Sequence, residues 1–428
     1  MSDVLSDAAL GAYRLAGRAA VPLLPFALSW RARHGKEDRT RLGERFGRAS
    51  LPRPSGRLAW IHAASVGETN AVMPLVAKLT EAGIAVVFTS VTVSSAGIAA
   101  ARLPAGAFHQ FAPVDVAPLV GRFLDHWRPD LAIFVESELW PTTIVQLSRA
   151  GIPQILVNAR LSERSYRGWR RFAGIARSVF GRIPLCLAQS ATDAERYRAL
   201  GTPKVVVTGN LKFDAPPPHV DPAVLADFRA AIADRPVWVA ASTHEGEETM
   251  VAESHRSLCG RFPGLLTIIV PRHPERGDAI RAHLSTLGLK VAQRSRSEIV
   301  DRGTDVYVAD TFGELGLFYR VAPIAFLGGS LIPHGGQNPI EPVRLGCAVL
   351  HGPHVHNFSD IYAIIDAVGS PKVAGATDLA DALAALLADP AAARRQASAM
   401  ADALKPLSGA LIATMAELDP YLRRGATS

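Results

Sequence analysis

An acidic residue that could act as a base follows the first strand-like segment of the chain. In HAASVGETN, Glu68 comes just after the apolar segment Leu58 to His62, and Ser65 precedes it by three positions. A carboxylate at the end of a strand can accept a proton from a hydroxyl nucleophile. The same Ser-x-x-Glu spacing is typical of a helix capping box, and for the isolated motif the capping interpretation is the stronger one.

Two more carboxylates and a lysine follow later strands. Glu136 and Glu138 come just after the apolar segment Leu131 to Val135, and if that strand continued, its alternation would place both on one face. Carboxylates beside a buried strand are uncommon unless paired or functional, so we favour function, with a salt bridge to an arginine as the alternative. Lys212 in TGNLKFD can stabilise developing negative charge, although a lone lysine is usually solvated.

The second half of the chain contains a segment, Asp310 to Cys347, that is suited to a phosphorylated ligand. Thr311 and Glu314 have capping-box spacing before one helix, and Asn338 is predicted to cap a second helix that begins at Pro339. Helix N-termini present free backbone N–H groups and favour anions. Glycine after a strand is also ordinary turn chemistry, and each motif alone favours a structural interpretation; the combination favours a ligand.

Basic residues are concentrated in a few places. In PRHPER, Arg272 can hold a phosphate, while His273 is as easily a structural hydrogen-bonding residue as a functional one. Residues 30–53 hold eight basic and three acidic residues, and residues 160–182 hold seven arginines and one glutamate. Because the rest of the chain is net negative, the two clusters favour local polyanion binding over a general nucleic-acid coat, with a solvated charged face as the alternative.

The N-terminus is apolar but interrupted. Its longest uninterrupted apolar run, Ala19 to Leu28, is too short to span a bilayer and contains Pro22 and Pro25. No charged region precedes a clean apolar core and a cleavage site, as a signal peptide would require. We therefore expect residues 1–40 to form a membrane-associated helix followed by a basic collar, with a helix packed on the domain as the alternative.

Strand and helix patterns alternate along the rest of the chain, which predicts an α/β fold of doubly wound parallel sheets. The predicted strands are 58–62, 85–88, 131–135, 153–157, 185–187 and 205–207, then 237–240, 266–270, 306–308, 322–327 and 348–350. Three successive prolines near Ala215 indicate an extended linker. We therefore predict two Rossmann-like domains, 41–214 and 215–428, which face each other across a ligand-binding cleft.

The composition agrees with a folded protein of two domains. The chain has 428 residues, of which 48% are hydrophobic and 20% charged, and these shares exclude intrinsic disorder. Its three cysteines lie far apart without CxxC spacing, which predicts a reducing compartment and no zinc site. No HExxH, Walker A or GxSxG pattern occurs, and Glu136 and Glu138 lack a nearby set of His or Asp, so we predict no metal requirement.

Taken together, the motifs resemble one enzyme family. Their order matches that of the 3-deoxy-D-manno-octulosonic acid (Kdo) transferases of Gram-negative bacteria: HAASVGETN, ESELWP, NARLSERS, GNLKFD, PRHPER, DTFGELG, GGSLIPHGGQNPIEP and HGPHVHNF. The resemblance runs from about Arg41 to Phe358. It implies the GT-B glycosyltransferase fold. It also implies transfer of Kdo from CMP-Kdo to a hydroxyl of the lipid A precursor (lipid IVA), in lipopolysaccharide core biosynthesis, at the cytoplasmic side of the inner membrane.

The resemblance also implies roles for single residues. The glutamate of the SVGE motif, the proton acceptor of an inverting reaction, falls on Glu68, and the two residues that stabilise the transition state fall on Glu136 and Lys212. The residues expected to bind CMP are Pro271, Arg272, Phe312, Gly313, Glu314, Asn338, Pro339, Ile340 and Glu341. No metal is expected. The expected partners are CMP-Kdo, the lipid A precursor and the inner-membrane surface, bound peripherally or through an N-terminal anchor, without nucleic acid.

Two alternatives stay open. Another GT-B nucleotide-sugar transferase, or an epimerase, would use a different donor. A basic RNA- or membrane-binding protein without catalysis is suggested by the arginines interleaved with Tyr166 and Trp169, and its function would not respond to the change Glu68→Gln.

Overall fold

A computed structural model describes residues 11–13, 15–214 and 220–423 of the chain. It divides into two compact units: unit 1 comprises Met1–Ala215 and Leu407–Ser428, and unit 2 comprises Pro216–Pro406. Each unit is built on one parallel β-sheet with connecting helices, so the predicted class of two parallel α/β sheets is confirmed. Most of the predicted proline linker, residues 215–219, lies outside the described residues.

Unit 1 contains a seven-stranded sheet. Its strands are β1 (Leu58–His62), β2 (Ala85–Ser90), β3 (Ala107–Phe111), β4 (Leu131–Val135), β5 (Gln154–Ala159), β6 (Leu185–Ala188) and β7 (Val205–Val207). They lie in the order β3-β2-β1-β4-β5-β6-β7. Every residue of β1 and β4 is buried, because apolar clusters cover both faces of the sheet: Trp60 and Phe134 belong to one cluster, and Ile61 and Ile133 belong to the other.

Four helices of unit 1 start at side-chain caps. Residues 11–13 and 15–20 are helical, and the helices that follow are α1 (Leu24–Arg33), α2 (Leu42–Arg45), α3 (Val66–Glu81), α4 (Val93–Arg102), α5 (Ala117–Trp127), α6 (Pro141–Arg149), α7 (Glu163–Arg170), α8 (Ala173–Phe180) and α9 (Ala191–Ala199). Side chains cap four of them, because Ser65, Thr92, Ser162 and Ser190 each accept a hydrogen bond from a backbone N–H three residues later.

Unit 2 contains a six-stranded sheet. Its strands are β8 (Val237–Thr243), β9 (Leu266–Pro271), β10 (Val291–Gln293), β11 (Val306–Val308), β12 (Ile324–Leu327) and β13 (Ala348–His351), in the order β10-β11-β9-β8-β12-β13. Its helices are α10 (Pro222–Ile232), α11 (Glu247–Leu258), α12 (Gly277–Thr286), α13 (Leu315–Val321), α14 (Ile340–Arg344), α15 (Ser359–Asp366), α16 (Ala376–Ala388) and α17 (Pro390–Leu404). Because all strands are parallel, their carboxyl ends lie along one edge of the sheet.

The last helix, α18 (Ala410–Arg423), belongs to unit 1. The sequence pattern assigns every residue from 215 to 428 to the second domain, whereas the structure places residues 407–423 in unit 1. Asp214 holds the start of α18, since its carboxylate accepts hydrogen bonds from the N–H groups of Gly409 at 2.8 Å and Leu411 at 2.6 Å. Leu418 is fully buried in the same apolar cluster as Ile61. Burial against the first sheet therefore decides where the helix belongs.

The N-terminal segment packs on unit 1 and also exposes apolar side chains. Leu28 and Ala32 of α1 are buried, whereas Leu23, Phe26 and Trp30 are 66%, 77% and 56% exposed. Residues 1–10 and residue 14, which are part of the predicted membrane-associated segment, lie outside the described residues. Across the described ranges, no helix is both long enough and apolar enough to cross a membrane.

Part of the basic collar has a structural role. Glu37 accepts hydrogen bonds from Arg31 and Arg45, each at 2.9 Å, and Glu44 binds Arg41 at the same distance. Arg45 is only 5% exposed. Arg31, Arg41 and Arg45 of the predicted basic collar therefore pair with acidic residues of the same segment.

Candidate active site

Glu68 lies in the first turn of α3, directly after β1. The predicted capping arrangement is present, since Ser65 Oγ accepts a hydrogen bond from the Glu68 N–H at 3.3 Å. The Glu68 carboxylate in turn accepts hydrogen bonds from the Ala64 N–H at 2.8 Å and from the Ser65 hydroxyl at 2.7 Å. Two donors thus fix the orientation of the carboxylate, one on each oxygen.

Burial changes the acid–base chemistry of Glu68, which is 9% exposed. Burial raises the pKa of its carboxyl to about 7, although the hydrogen bonds from Ser65 and Ala64 act in the opposite direction. The charges of Glu136 and Glu138 raise this pKa further. A carboxylate with a pKa near neutrality holds a proton firmly enough to take it from a hydroxyl as that group attacks, which suits a general base.

Glu136 and Lys212 form an ion pair, with 2.7 Å between Lys212 Nζ and Glu136 Oε1. The side chains are 18% and 21% exposed, so the pair is accessible from solvent. Two side-chain amides position the short 3-10 helix Leu211–Phe213, which carries the lysine. Asn158 Oδ1 accepts from the Leu211 N–H at 2.9 Å, and Asn210 Oδ1 accepts from the Lys212 N–H at 3.0 Å. Lys212 is therefore a fixed cation beside a carboxylate.

The strand does not continue to Glu136 and Glu138, the condition under which the two would share a face, because β4 ends at Val135 and Glu136 adopts a φ of 57°. Glu138 instead accepts a hydrogen bond from Trp140 Nε1 at 3.0 Å and lies 3.6 Å from His62 Nε2. Burial, which would raise the pKa of Glu138, is outweighed by His62 and Trp140, and the pKa is lowered. No sequence motif marks His62, which is fully buried at the end of β1.

In unit 2, the loop after β12 binds an anion, but this anion is the side chain of Glu247. The buried carboxylate accepts hydrogen bonds from the N–H groups of Gly329 at 2.7 Å, Ser330 at 3.1 Å and Leu331 at 3.1 Å. It also accepts one from the backbone N–H of His244 at 2.9 Å. The backbone N–H groups of Gly329, Ser330 and Leu331 therefore bind a side chain of the protein itself.

Glu314 is bound by Arg294, through contacts of 2.6 Å from Nη2 and 3.1 Å from Nε. The Thr311 hydroxyl also donates to the Glu314 carboxylate. The predicted capping box is wrong, since α13 begins one residue after Glu314 and has no side-chain cap. Phe312 is 79% exposed and Gly313 has a φ of 82°, so an open turn precedes the helix.

The remaining predicted nucleotide-binding residues lie at the carboxyl end of β9 and around the start of α14. Pro271 ends β9 and is buried, and the side chain of Arg272 is exposed. Helix α14 begins at Ile340, one residue later than predicted, and Asn338 Oδ1 accepts a hydrogen bond from the Ile340 N–H at 3.1 Å. Pro339 and Ile340 are buried, whereas Asn338 and Glu341 are half-buried.

The second arginine cluster is mostly exposed. Its exposed members are Arg160, Arg164, Arg167, Arg170, Arg171 and Arg177. Phe172, within the same segment, is 63% exposed. Glu163 accepts from Arg167 at 2.7 Å and from Arg196 at 2.8 Å. Most of the positive charge of this cluster therefore lies at the surface of unit 1, next to an apolar ring.

The structure brings the predicted catalytic residues Glu68, Glu136 and Lys212 together in unit 1. The predicted nucleotide-binding residues all belong to unit 2, and His62 and Glu247 were not predicted. Among the side chains that the structure describes, no group of three or more His, Cys, Asp or Glu could hold a metal ion.

Comparisons with known proteins show which family the chain resembles. Residues 40–215 match the family model of 3-deoxy-D-manno-octulosonic-acid transferase (kdotransferase). A 3-deoxy-D-manno-octulosonic acid transferase of Haemophilus influenzae is 37% identical over 399 residues, which are 90% of this chain and 92% of the relative. A probable mitochondrial transferase of the same name in Arabidopsis thaliana is 35% identical over 420 residues, which are 95% of this chain and 94% of the relative.

A solved structure shares the fold at low sequence identity. The glycosyltransferase from Rickettsia africae covers 88% of this chain and 100% of its own, with a TM-score of 0.57 and 13% identity. This likeness confirms the predicted GT-B type of α/β fold and carries no information on substrate.

Proposed function

The chain belongs to the 3-deoxy-D-manno-octulosonic acid (Kdo) transferase family and is therefore a glycosyltransferase, and from this premise we propose that it moves Kdo from CMP-Kdo to a hydroxyl of a lipid A precursor. The product would enter lipopolysaccharide core biosynthesis. The observation that carries the mechanism is the environment of Glu68, a buried and doubly hydrogen-bonded carboxylate whose pKa is about 7.

In the proposed reaction, Glu68 is the general base. The acceptor hydroxyl attacks the anomeric carbon of Kdo from the face opposite CMP, and its proton passes to the Glu68 carboxylate. The bond between that carbon and the phosphate oxygen breaks, and its electron pair leaves with CMP. Attack and departure occur on opposite faces, so the reaction inverts configuration. Burial raises the pKa of Glu68, so its carboxylate binds the proton of the acceptor hydroxyl more strongly than an exposed carboxylate would.

Lys212 and Glu136 would stabilise the transition state. The Lys212 ammonium is a fixed positive charge that can offset negative charge on the reacting groups, and Glu136 orients it through the 2.7 Å ion pair. Glu136 also adds to the raised pKa of Glu68, so removing Glu136 changes the electrostatics of the base. The pair therefore acts on both the charge of the transition state and the proton transfer.

The donor would be bound by unit 2. Arg272, whose side chain is exposed, would hold the phosphate together with backbone N–H groups near Gly313. The half-buried Glu341 would accept hydrogen bonds from ribose hydroxyls, next to Asn338 at the start of α14. Glu247 occupies the N–H groups of the loop after β12, so this mode of binding does not use them for the phosphate.

We propose that the acceptor is presented by the cytoplasmic surface of the inner membrane. The exposed apolar residues Leu23, Phe26 and Trp30 would enter the interfacial region of the bilayer, and the exposed arginines between residues 160 and 182 would contact lipid phosphates. No metal would be required, since CMP is a good leaving group once its phosphate is stabilised.

The test is transfer by the purified protein. We expect CMP release from CMP-Kdo only when lipid A precursor is present, and a mass spectrum of the lipid product that shows the mass of added Kdo. Addition of EDTA should leave the rate unchanged. CMP release without any lipid product, or transfer of a sugar from another nucleotide donor in preference to CMP-Kdo, would contradict the proposal.

A further inference from the structure

Three histidine rings meet at the carboxyl edge of the sheet in unit 2. The ring centroid of His244, which follows β8, lies 4.0 Å from that of His334 and 5.9 Å from that of His273. His334 belongs to the loop after β12 and His273 to the loop after β9, and β8 lies between these two strands in the sheet. Three neighbouring strands thus deliver one imidazole each to the edge at which open α/β sheets bind ligands.

This histidine cluster, His244, His273 and His334, contains one buried ring and two exposed ones. His244 is 7% exposed, whereas His273 and His334 are exposed. The loop after β12 passes very close to the buried ring, because a Cβ atom at Gly329 would lie 3.2 Å from His244 Cδ2. Gly329 also has a φ of 64°, which favours glycine, so this close approach depends on a residue without a side chain.

The groups that face His244 disfavour a positive charge on its ring. Burial, followed by the charges of His334, His273 and Arg272, lowers the pKa of His244 to about 4, and Glu248 acts in the opposite direction. The cluster therefore combines a neutral buried imidazole with an exposed guanidinium and two exposed imidazoles. An anion that arrived among them would reverse the balance, because opposite charge favours the protonated form of a nearby histidine.

The carboxylates around the cluster have partners of their own. Glu248 accepts hydrogen bonds from Arg276 at 2.8 Å and 3.1 Å, and Glu247 accepts from backbone N–H groups. The exposed Glu275 lies 3.5 Å from His273 Nδ1. An incoming anion thus meets imidazoles and a guanidinium, while the two buried carboxylates stay bound to other donors.

Gln337 can support the buried ring in either protonation state. Its Nε2 lies 3.3 Å from His244 Nε2, so the amide donates to the neutral ring. A reversed amide would offer its oxygen to a protonated ring at the same place. Protonation of His244 therefore does not leave a buried polar atom without a partner.

We propose that His244, His273 and His334 together with Arg272 bind the leaving phosphate of the nucleotide sugar, taking up a proton when the phosphate arrives and giving it to the leaving oxygen. This inference rests on the proposed function and names a part of its donor site. The electron pair of the broken bond stays on the phosphate oxygen, and the imidazolium proton joins that oxygen. CMP then leaves with a protonated phosphate, while the acceptor proton resides on Glu68.

The test is the proton balance of CMP binding. Calorimetric titration of the wild-type protein with CMP at pH 7.5, in two buffers of different ionisation enthalpy, should show uptake of about 0.5 to 1 proton per CMP bound. CMP affinity should accordingly fall about threefold to tenfold per pH unit above neutrality. Cytidine, which lacks the phosphate, should bind without proton uptake.

Substitutions of two of the histidines test whether the cluster takes up the proton when CMP binds. His334→Gln, at an exposed position, should reduce proton uptake and weaken CMP binding about tenfold, while cytidine binding stays unchanged. His244→Gln should act in the same direction. The matched control is His283→Gln: this histidine lies on α12 of the same unit, where its Nε2 pairs with Thr249 Oγ1 at 3.0 Å, and both proton uptake and affinity should be unchanged.

Two results separate this inference from the proposed function. If wild-type protein binds CMP with heat that does not depend on the buffer, or if proton uptake persists in both cluster variants, the inference is overturned and the proposed transfer stands. If the wild-type protein does not bind CMP at all, the proposed donor is wrong and the inference is overturned with it.

Discussion

Removal of the Ser65 hydroxyl should move the acid limb of the pH profile of kcat/KM to higher pH. This hydroxyl donates to the Glu68 carboxylate at 2.7 Å and lowers a pKa that burial raises to about 7. A hydrogen bond to a charged group contributes about 1.5–3 kcal/mol, and one pKa unit corresponds to about 1.4 kcal/mol. Because water would replace part of the lost hydrogen bond between Ser65 and Glu68, Ser65→Ala should raise the pKa of Glu68 by about one unit.

The sign of the effect on rate follows from the role of a base. Glu68 can accept the acceptor proton only when it is deprotonated, so kcat/KM falls as pH drops through its pKa. With the pKa about one unit higher, kcat/KM of Ser65→Ala at about pH 6 should be about tenfold below that of the wild type. Above about pH 9 the two should converge, since both bases are then ionised.

A second cap in unit 1 provides the control. Ser190 caps α9 in the same way, accepting from the Asp193 N–H at 3.1 Å and donating to the Asp193 carboxylate at 2.6 Å. Ser65→Ala and Ser190→Ala should each lose about 1 kcal/mol of unfolding free energy, as is usual for a lost cap. The assay is CMP release against pH at low CMP-Kdo concentration. An unshifted limb in Ser65→Ala, or an equal shift in both variants, would refute the reasoning.

Three further changes test other parts of the molecule. Lys212→Ala should lower kcat about 100-fold, as expected when a charge that faces the transition state is lost, and calorimetry should show unchanged CMP affinity; a normal kcat would contradict this role. Glu37→Ala should reduce the free energy of unfolding, measured by denaturant titration, by about 3 kcal/mol, because Arg45 is only 5% exposed and would lose the carboxylate that pairs with it. A reduction below about 0.5 kcal/mol would show that the buried Arg45 does not need this partner. The double change Phe26→Ser and Trp30→Ser should weaken sedimentation with anionic vesicles at least about tenfold, with CMP binding unchanged; retention on the vesicles would contradict an interfacial role.

Local sequence patterns predicted the start of α3, the helix that carries Glu68, and the inner strands of the sheets. The Ser65 and Glu68 spacing identified the cap of α3 because a capping box depends only on residues within one turn. Inner strands such as β4 read as apolar runs since both faces of the sheet are covered. The edge strands β3 (Ala107–Phe111) and β10 (Val291–Gln293) were not predicted, because polar residues shorten their apolar runs. The edge strands β7 and β13 consist mostly of apolar residues and were predicted.

Residues whose role depends on distant partners could not be predicted in this way. Glu247 binds the N–H of Gly329, which is 82 positions away in the chain, and no local motif signals that contact. The pairing of Glu136 with Lys212 spans 76 positions, and the positive φ that turns Glu136 away from β4 follows from the fold around it. The return of α18 to unit 1 likewise depends on burial against a sheet formed early in the chain.

The most direct test of the catalytic proposal is turnover of Glu68→Gln beside Glu81→Gln. Both glutamates lie on α3, but Glu81 is exposed and pairs with Lys78, so it controls for the loss of a carboxylate on the same helix. We expect Glu68→Gln to lose almost all transfer of Kdo to the lipid acceptor while binding CMP with wild-type affinity, and Glu81→Gln to turn over normally. Wild-type turnover by Glu68→Gln would remove Glu68 from the mechanism.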